Sequence, residues 1–470
     1  MADRKKTSKK KPAGSGGSRK PGPGATSDDP AAQGELGFGR PLGRRIVRAD
    51  DEDAGFADTG DDDVVDDLVD DVVDAPDDDG GHDDLALSRA GGPPRRKRKP
   101  EAGAAEKKLS FTPVSRRIRS ESAVIKDKIL LGQKPMMKFP LRSLANVDYN
   151  AKTGFFKLKG KQKERTLTVN TVKTFAQTLK MMALSKELIE TDDIATKREA
   201  YYVSKNWAEA RFKEQPESDT VMEDVEAFFA VNREQLGFVP EEKGGDVAGQ
   251  LVVIDHDRDT GEELRIDCTR FGSGAYSIPI SVEHLKFETD ATFILCIETA
   301  GMFQRLVKHN YWKNARCILI SMGGVPTRAC RRFVRRLADS YGLPVYVFVD
   351  GDPYGFTNIY RTLKVGSGNA AHLNEYFCVP QAHLLGITPQ DIIDYQLPTH
   401  PLKDVDIKRA KDALKNDPFI LHYKEWSQAF EQIIRMGVRA EQQALAKHGL
   451  NYVIDEYLPQ KLAHVERFLP

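Results

Sequence analysis

Val345-Tyr346-Val347-Phe348-Val349-Asp350-Gly351-Asp352 is an unbroken run of β-branched and aromatic residues that ends in two carboxylates around a glycine. A short apolar run with no polar alternation reads as a strand buried on both faces, the pattern of a parallel sheet. About fifty residues earlier, Phe293-Ile294-Leu295-Cys296-Ile297-Glu298 repeats the pattern with one carboxylate at its end. In open α/β sheets, sites form beyond the carboxyl ends of strands. Glu298, Asp350 and Asp352 would make a hard, all-oxygen donor set suited to Mg2+ rather than zinc. Mg2+ beside carboxylates points to phosphate chemistry. Gly351 permits a tight turn between the two Asp residues, and such a cluster repels itself without a counter-charge. Either Asp alone fits an ordinary turn or helix cap; the three on this spacing favour a site.

Outward from these strands the pattern alternates. Residues 293–298, 316–321, 345–350 and 374–379 read as strands, and 301–310, 327–341 and 356–363 as helices. That alternation indicates βαβ units and a Rossmann-like parallel sheet. Leu251–Asp255 reads as a further strand, residues 264–287 as irregular, and Asp404–Lys415, Lys424–Lys447 and Ile454–Phe468 as C-terminal helices. Glu241–Gly245 reads as a linker. Before it, Ala151-Lys152-Thr153-Gly154 marks a hairpin. Three helices follow: one from Thr171 with Val172, Phe175, Leu179, Met182 and Leu184 on one face, one over Ile194–Phe212, and one over Thr220–Leu236 capped by Ser218 or Asp219. Three helices with a small β element suit a winged-helix domain. The expected division is a disordered charged tail over 1–120, a winged-helix domain over 121–240 and an α/β domain over 241–470.

The 470 residues carry a formal net charge of zero, but by cancellation. Residues 1–48 hold 12 Lys and Arg against 4 acids, and residues 50–84 hold 18 acids and no Lys or Arg. Asp61–Asp74 and the basic run Arg95–Lys99 belong to this tail, whose self-repelling blocks cannot bury a core. Whole-chain charge is therefore silent on a DNA-binding face. Five cysteines (Cys268, Cys296, Cys317, Cys330, Cys378) form no CxxC pair, so a structural zinc site is not expected and buried reduced thiols are. No apolar run approaches the ~20 residues that span a bilayer. The expectation is an intracellular protein with no membrane partner.

Other features carry possible chemistry. In Lys197-Arg198-Glu199-Ala200-Tyr201-Tyr202, Arg198 precedes Tyr202 by one helical turn. A phenol titrates near pH ~10 and needs a nearby cation or metal-bound phosphate to act as a nucleophile. Arg198 could clamp a phosphate through its planar fork. By itself a Tyr-Tyr pair is more often packing. The glycines at Phe271–Ala275 and Ser321–Val325 could bring amides near phosphate, but neither runs into the Gly-Lys-Ser/Thr of an ATP loop. Arg328, Arg331, Arg332, Arg335 and Arg336 crowd one helix, read either as a solvated surface or as a DNA-backbone stripe.

Together these motifs resemble the A subunit of type IIB DNA topoisomerases and the related meiotic double-strand-break transesterase. KREAYY at 197–202 is similar to that family's Arg-acid-x-Tyr-Tyr motif. IETAGMFQRL at 297–306 and DGDPYGF at 350–356 are similar to its Toprim motifs. IDCTRFGSGAYSIP at 266–279 and LRSLANVDYNAKTGFFKL at 141–158 match as well. The resemblance covers roughly 135–470. It implies a CAP-like winged-helix domain followed by a Toprim domain with C-terminal helices. It also implies Tyr202 as nucleophile, Arg198 as phosphate support, and Glu298 and Asp350 as Mg2+ ligands with Asp352 beside them. The implied reaction is reversible cleavage of both DNA strands through 5′-phosphotyrosyl bonds, with Tyr202 of one protomer meeting the metal site of the other. The implied assembly is a homodimer of this chain with a separate GHKL ATPase B subunit (A2B2), acting on double-stranded DNA in a cytoplasmic nucleoid. A nuclease without strand passage and a non-catalytic DNA scaffold are the alternatives. The chain departs from archaeal relatives at Thr299, where Lys usually follows the Toprim glutamate, and at Thr327 and Gln381, where an acid is common.

Overall fold

The computed structural model describes residues 114–240 and 243–470. Most of the charged tail, with Asp61–Asp74 and Arg95–Lys99, lies outside the described residues. The description begins inside the span expected to be tail, with helix α1 (Val114–Leu130). Its buried Val114, Ile118 and Ile125 recur at helical spacing among charged neighbours, which hide the period in the sequence.

Strand β1 (Met136–Pro140) precedes the hairpin β2 (Val147–Asn150) and β3 (Phe155–Leu158), and β4 (Gln162–Thr166) follows and pairs antiparallel with β1. Helix α2 (Val172–Thr191) ends where Asp192 turns left-handed. A two-residue strand β5 (Ala195–Thr196) leads into α3 (Lys197–Ser204). Helix α4 (Gln215–Phe229) begins five residues before the expected start, with Pro216 in its first turn; Ser218 is buried inside it and caps nothing. The expected long helix over 194–212 is only α3 plus a single 3-10 turn at Ala208–Ala210. β6 (Phe238–Val239) returns to pair in parallel with β5, setting the entry of α3. These helices and β1 share a core containing Phe139, Phe175, Met182, Val225 and Phe238.

The rest is layered. Strands β7 (Asp246–Gly249), β8 (Val252–His256), β9 (Glu263–Asp267), β10 (Tyr276–Ser277) and β11 (Lys286–Glu288) come first. β8, β9 and β11 form a separate antiparallel sheet in the order β11-β8-β9, so the stretch expected to be irregular carries three strands. Next come β12 (Phe293–Ile297), α5 (Ala300–Lys308), α6 (Tyr311–Ala315), β13 (Cys317–Ser321), α7 (Arg328–Tyr341) and β14 (Val345–Phe348). A π-helical turn at Gly355–Tyr360 runs into α8 (Arg361–Lys364), followed by α9 (Asn374–Phe377) and β15 (Ala382–Gly386). The main sheet has the order β10-β7-β13-β12-β14-β15, with β12 to β15 parallel and β7 antiparallel to β13.

The continuous apolar runs follow from this topology. Ile294, Cys296, Val345 and Val347 face one core layer with α7, while Phe293, Leu295, Ile297 and Phe348 face another with α5. A strand covered on both faces has no polar alternation to show. Residues 374–379 are a correction: Tyr376-Phe377-Cys378-Val379 look like strand, but helix α9 occupies Asn374–Phe377 and the edge strand is β15, aligned with β14 by Val345↔Ala382. All five cysteines are buried and free.

After β15 come α10 (Pro389–Asp394), β16 (His400–Pro401), α11 (Asp404–Asn416), α12 (Pro418–His422) and α13 (Lys424–Met436). The expected helix over 424–447 breaks at Gly437, left-handed at φ 66°; β17 (Val438–Arg439) pairs with β16, and a 3-10 segment spans Gln442–His448. Beyond it, a π-helical turn at Val453–Tyr457, α14 (Leu458–Leu462) and a 3-10 turn at Val465–Arg467 replace one expected helix. No described helix is long and apolar enough to cross a membrane.

The β2–β3 hairpin inserts Val147 and Phe156 into the core of the parallel sheet rather than that of α1–α4. Phe156 N–H donates to the Val365 carbonyl at 3.0 Å, and Asn374 Nδ2 donates to the Phe156 carbonyl at 3.1 Å. The N-terminal segment is thus anchored to the sheet that carries the acids.

Candidate active site

β12 and β14 are adjacent and parallel, with Ile297 opposite Phe348. The residues that leave their carboxyl ends therefore emerge side by side. Glu298 N–H donates to the Phe348 carbonyl at 3.0 Å, and Asp350 N–H donates to Glu298 Oε2 at 2.8 Å. Asp350 Oδ1 accepts from Gln442 N–H at 2.8 Å. Asp352 Oδ1 accepts from Gly355 N–H at 2.7 Å, and its Oδ2 lies 3.6 Å from Arg439 Nη1. Gly351 is needed for close approach rather than for a left-handed turn: a Cβ there would meet Ile387 Cγ2 at 3.0 Å and the Ala440 carbonyl at 3.3 Å.

The three acids are only partly exposed. Burial, and then the charge of Asp350, push the Glu298 carboxyl up to about 8. Burial pushes Asp350 up to about 6, with Asp352 and Glu441 adding to it and the Gln442 amide opposing. Burial also raises Asp352, against the pull of the Gly355 amide. Like charges in one partly dry site oppose one another's ionisation, and a divalent cation is the counter-charge that relieves this. The donor set, all carboxylate oxygen, fits a hard cation such as Mg2+. Among the described residues no three Asp, Glu, His or Cys side chains are gathered into a ready-made metal cage.

Sequence reasoning missed the segment that closes this site. Arg439, Glu441 and Gln442 fall where one long helix was expected, and Gly437 was the available stop signal. The Gly323-Gly324 turn crosses beside Glu298, but its Gly324 N–H is used by the Glu298 carbonyl at 3.0 Å. The Phe271–Ala275 turn likewise closes on itself, Gly274 N–H donating to the Phe271 carbonyl at 2.9 Å.

Arg198 and Tyr202 lie on α3, which starts with a full capping box: Thr196 Oγ1 accepts from Glu199 N–H, and Glu199 Oε2 accepts from Thr196 N–H. The two tyrosines have opposite environments. Tyr201 donates to the Lys213 carbonyl at 3.0 Å and accepts from Lys205 Nζ at 2.7 Å. Tyr202 is 57 % exposed, and its hydroxyl has no hydrogen-bond partner among the described residues. Arg198 is exposed on the same face. Among the described residues, no hydrogen bond or ion pair joins Arg198 or Tyr202 to Glu298, Asp350 or Asp352. The fold brings the acid-bearing strand ends side by side and leaves the tyrosine pair on a separate element.

The arginine-rich helix is neither of the things its sequence suggested. Arg331, Arg332 and Arg336 are buried. Arg332 holds Glu283 through Nε at 2.5 Å and Nη2 at 2.9 Å, Arg336 Nη2 donates to the Leu285 carbonyl at 2.9 Å, and Arg335 Nη1 donates to the Cys378 carbonyl at 2.6 Å. Arg328 pairs with Glu226 of α4. A helix that places apolar Phe333 and Leu337 on one face normally leaves its arginines in water; here the 282–285 loop, α9 and α4 cover them.

Comparison with known proteins agrees with this architecture. A family model described as "Type IIB DNA topoisomerase" matches residues 173–238. One described as "All-beta domain in DNA topoisomerase VI alpha subunit" matches 241–291, the span of the separate three-stranded sheet. A third, described as the Toprim domain of the topoisomerase 6 A subunit and Spo11, matches 293–462. The A subunit of type 2 DNA topoisomerase 6 from Methanocaldococcus jannaschii is 56 % identical over 345 residues, covering 73 % of this chain and 93 % of that protein. The proteins of the same name from Methanothermobacter thermautotrophicus and Halobacterium salinarum are 37 % and 39 % identical, covering 74 % and 72 % of this chain and 97 % and 93 % of theirs. The chain belongs to the A-subunit family of type IIB DNA topoisomerases.

Proposed function

We propose that this chain is the DNA-cleaving A subunit of an ATP-dependent type II topoisomerase. The observation that carries the reading is the division of the site. Three mutually repelling carboxylates sit at the ends of adjacent parallel strands, while Tyr202 stands exposed on another element, its hydroxyl without a hydrogen-bond partner among the described residues. In this reading α2–α4 and the small hairpins form a winged-helix, CAP-like domain on double-stranded DNA, and the later sheet is the Toprim domain.

Tyr202 Oη attacks a DNA phosphorus. A P–O bond to the tyrosine forms, the bond to the 3′ oxygen breaks, and the 3′-hydroxyl leaves with a proton. Each cut keeps its bond energy in a 5′-phosphotyrosyl link, so resealing is the reverse attack and uses no ATP. Arg198, one turn before Tyr202, would hold the attacked phosphate. Glu298, Asp350 and Asp352 would hold Mg2+, which supplies Lewis-acid stabilisation of charge on the phosphate oxygens when bound. Because Tyr202 makes no contact with the carboxylates of its own chain, the reading pairs each tyrosine with the carboxylates of a second copy, giving a homodimer and a double-strand break. ATP turnover would belong to a GHKL-type B subunit in an A2B2 assembly, acting at the nucleoid. Denaturant trapping with Mg2+ and supercoiled DNA, in the presence of the B subunit, tests the reading: a covalent protein–DNA adduct is expected, and its persistence in Tyr202→Phe would overturn it.

A further inference from the structure

The segment Arg439–Gln442 reaches back across the ends of β12 and β14 and contacts Thr299, Phe348, Asp350, Gly351 and Asp352. Ala440 and Gly351 exchange backbone hydrogen bonds at 2.7 and 3.3 Å. Arg439 faces Asp352 at 3.6 Å. Gln442, fully buried, makes three hydrogen bonds here. Its backbone N–H holds Asp350 Oδ1 at 2.8 Å, its Nε2 donates to the Phe348 carbonyl at 2.6 Å, and its Oε1 accepts from Thr299 Oγ1 at 2.9 Å.

Thr299 follows Glu298, and Phe348 and Asp350 lie at the end of the neighbouring strand. One amide therefore ties together the two backbones from which the metal-binding carboxylates spring. Thr299 also caps α5, accepting from Met302 N–H at 3.4 Å. Its hydroxyl can make both contacts at once, because it donates to Gln442 and accepts from Met302. Thr299 thus has a specific partner at Gln442 while the same hydroxyl caps the helix.

We propose that Gln442 is a positioning residue for Glu298 and Asp350, acting with Thr299 as a pair that sets the spacing of the two acid-bearing strand ends for a divalent cation. The inference rests on those carboxylates being the metal ligands. Neither Gln442 nor Thr299 supplies a ligand to the cation. Their work is to keep the carboxylates from relaxing apart under mutual repulsion.

The test measures binding of Mn2+, as a paramagnetic probe for the site, to the full chain by electron paramagnetic resonance, alongside the Mg2+ concentration giving half-maximal DNA cleavage. Removing a group that orients metal ligands typically weakens metal binding by about tenfold or more, so Gln442→Met is expected to weaken Mn2+ binding and raise the half-saturating Mg2+ by about that factor. Maximal cleavage at saturating Mg2+ should fall much less, a split that loss of folded protein would not produce. Thr299→Val should weaken binding in the same direction, and Thr299→Ser, which keeps the hydroxyl, should restore most of it. The double variant Thr299→Val/Gln442→Met should be weaker than Gln442→Met by far less than the product of the single effects, since the two changes share the Thr299–Gln442 contact. Unchanged Mn2+ binding in folded Gln442→Met, or multiplying effects in the double variant, would overturn the proposal. If Gln442→Met does not fold, the Thr299→Val and Thr299→Ser comparison decides it. Glu298→Ala separates the two levels. If it abolishes Mn2+ binding while Gln442→Met does not weaken it, only the positioning role falls; if it leaves Mn2+ binding intact, the ligand assignment falls and the inference with it.

Discussion

Arg328 of α7 and the buried Glu226 of α4 form an ion pair across 102 residues of sequence, with Arg328 Nη2 3.1 Å from Glu226 Oε2 and Arg328 Nη1 donating to Asn232 Oδ1 at 2.8 Å. Burial alone would raise the Glu226 carboxyl, but Arg328 and Arg233 beside it hold it below the usual range. The pair links the tyrosine-bearing helices to the helix that follows the Gly323-Gly324 turn beside Glu298. Lys197, at the start of α3, joins the same charge network through Glu223 at 3.4 Å.

Removing one member of this pair strands a buried charge, which costs about 3–5 kcal/mol, whereas replacing both by apolar or neutral groups costs far less. Arg328→Met is therefore expected to be strongly destabilised and Arg328→Met/Glu226→Gln to recover much of the loss. Urea unfolding of the full chain followed by tryptophan fluorescence measures both; equal stability of the single and double variants would show that the pair is not the source.

His372 lies beside this pair. Burial, with Arg328 and Arg142 adding to it, lowers the imidazole to about 4 against the opposing pull of Glu226. Its Nε2 has no hydrogen-bond partner among the described residues. The unfolded chain then binds more protons than the folded one between pH ~6.5 and ~4, so stability falls as pH drops through that window, by on the order of 3 kcal/mol. His372→Asn should flatten this slope while leaving stability at pH ~8 changed only modestly. A parallel slope in parent and variant would remove His372 as the cause.

The two neighbouring tyrosines separate structure from chemistry. Tyr201→Phe loses two hydrogen bonds at the base of α3 and is expected to cost roughly 1 kcal/mol while still forming the DNA adduct. Tyr202→Phe should unfold within about 0.5 kcal/mol of the parent, as exposed substitutions do, and form no adduct. Denaturation curves and trapped-adduct gels read the two effects independently.

Metal removal should expose the repulsion among the acids. In chelator, Glu298→Gln is expected to unfold at the same temperature as the parent or higher, because the substitution removes a carboxylate that burial and Asp350 disfavour. Saturating Mg2+ should raise the parent's unfolding temperature by mass action and leave that of Glu298→Gln unmoved. Scanning calorimetry with and without Mg2+ tests this, and a large drop for the metal-free variant would contradict it.

Arg332→Leu decides how the arginine helix functions. The partly exposed Glu283 carboxylate and the Tyr376 carbonyl lose a buried partner, so destabilisation of about 1–3 kcal/mol is expected. The salt dependence of DNA binding should be unchanged, whereas loss of a phosphate contact would reduce the log–log slope by about 0.9.

Much of this protein was legible because the relevant physics is local. Two strands covered on both faces must be apolar throughout, so Phe293–Ile297 and Val345–Phe348 stood out, and their terminal acids came with them. A helix carrying the two tyrosines was legible but its bounds were not: α3 is Lys197–Ser204 where 194–212 was expected, and the Thr196–Glu199 capping box that sets its start was not read. Where the local pattern was degenerate, the reading failed. Tyr376–Val379 has strand composition, yet the sheet edge goes to Ala382–Gly386, whose residues align with β14. Arg331, Arg332 and Arg336 have the composition of a wet surface, yet loops and helices far away in the chain supply carboxylates and carbonyls to cover them.

The sequence by itself determined which carboxylates end the central strands and which tyrosine helix exists, since side-chain periodicity and capping act over a few residues. Only the tertiary structure decided that Glu298 and Asp350 share a hydrogen bond, that Gln442 ties Thr299 to Phe348 beside them, and that the Tyr202 hydroxyl stands without a hydrogen-bond partner among the described residues on another element. Those relations depend on strand order and on contacts between residues as far apart as Thr299 and Gln442, 143 positions in sequence, which no local pattern encodes.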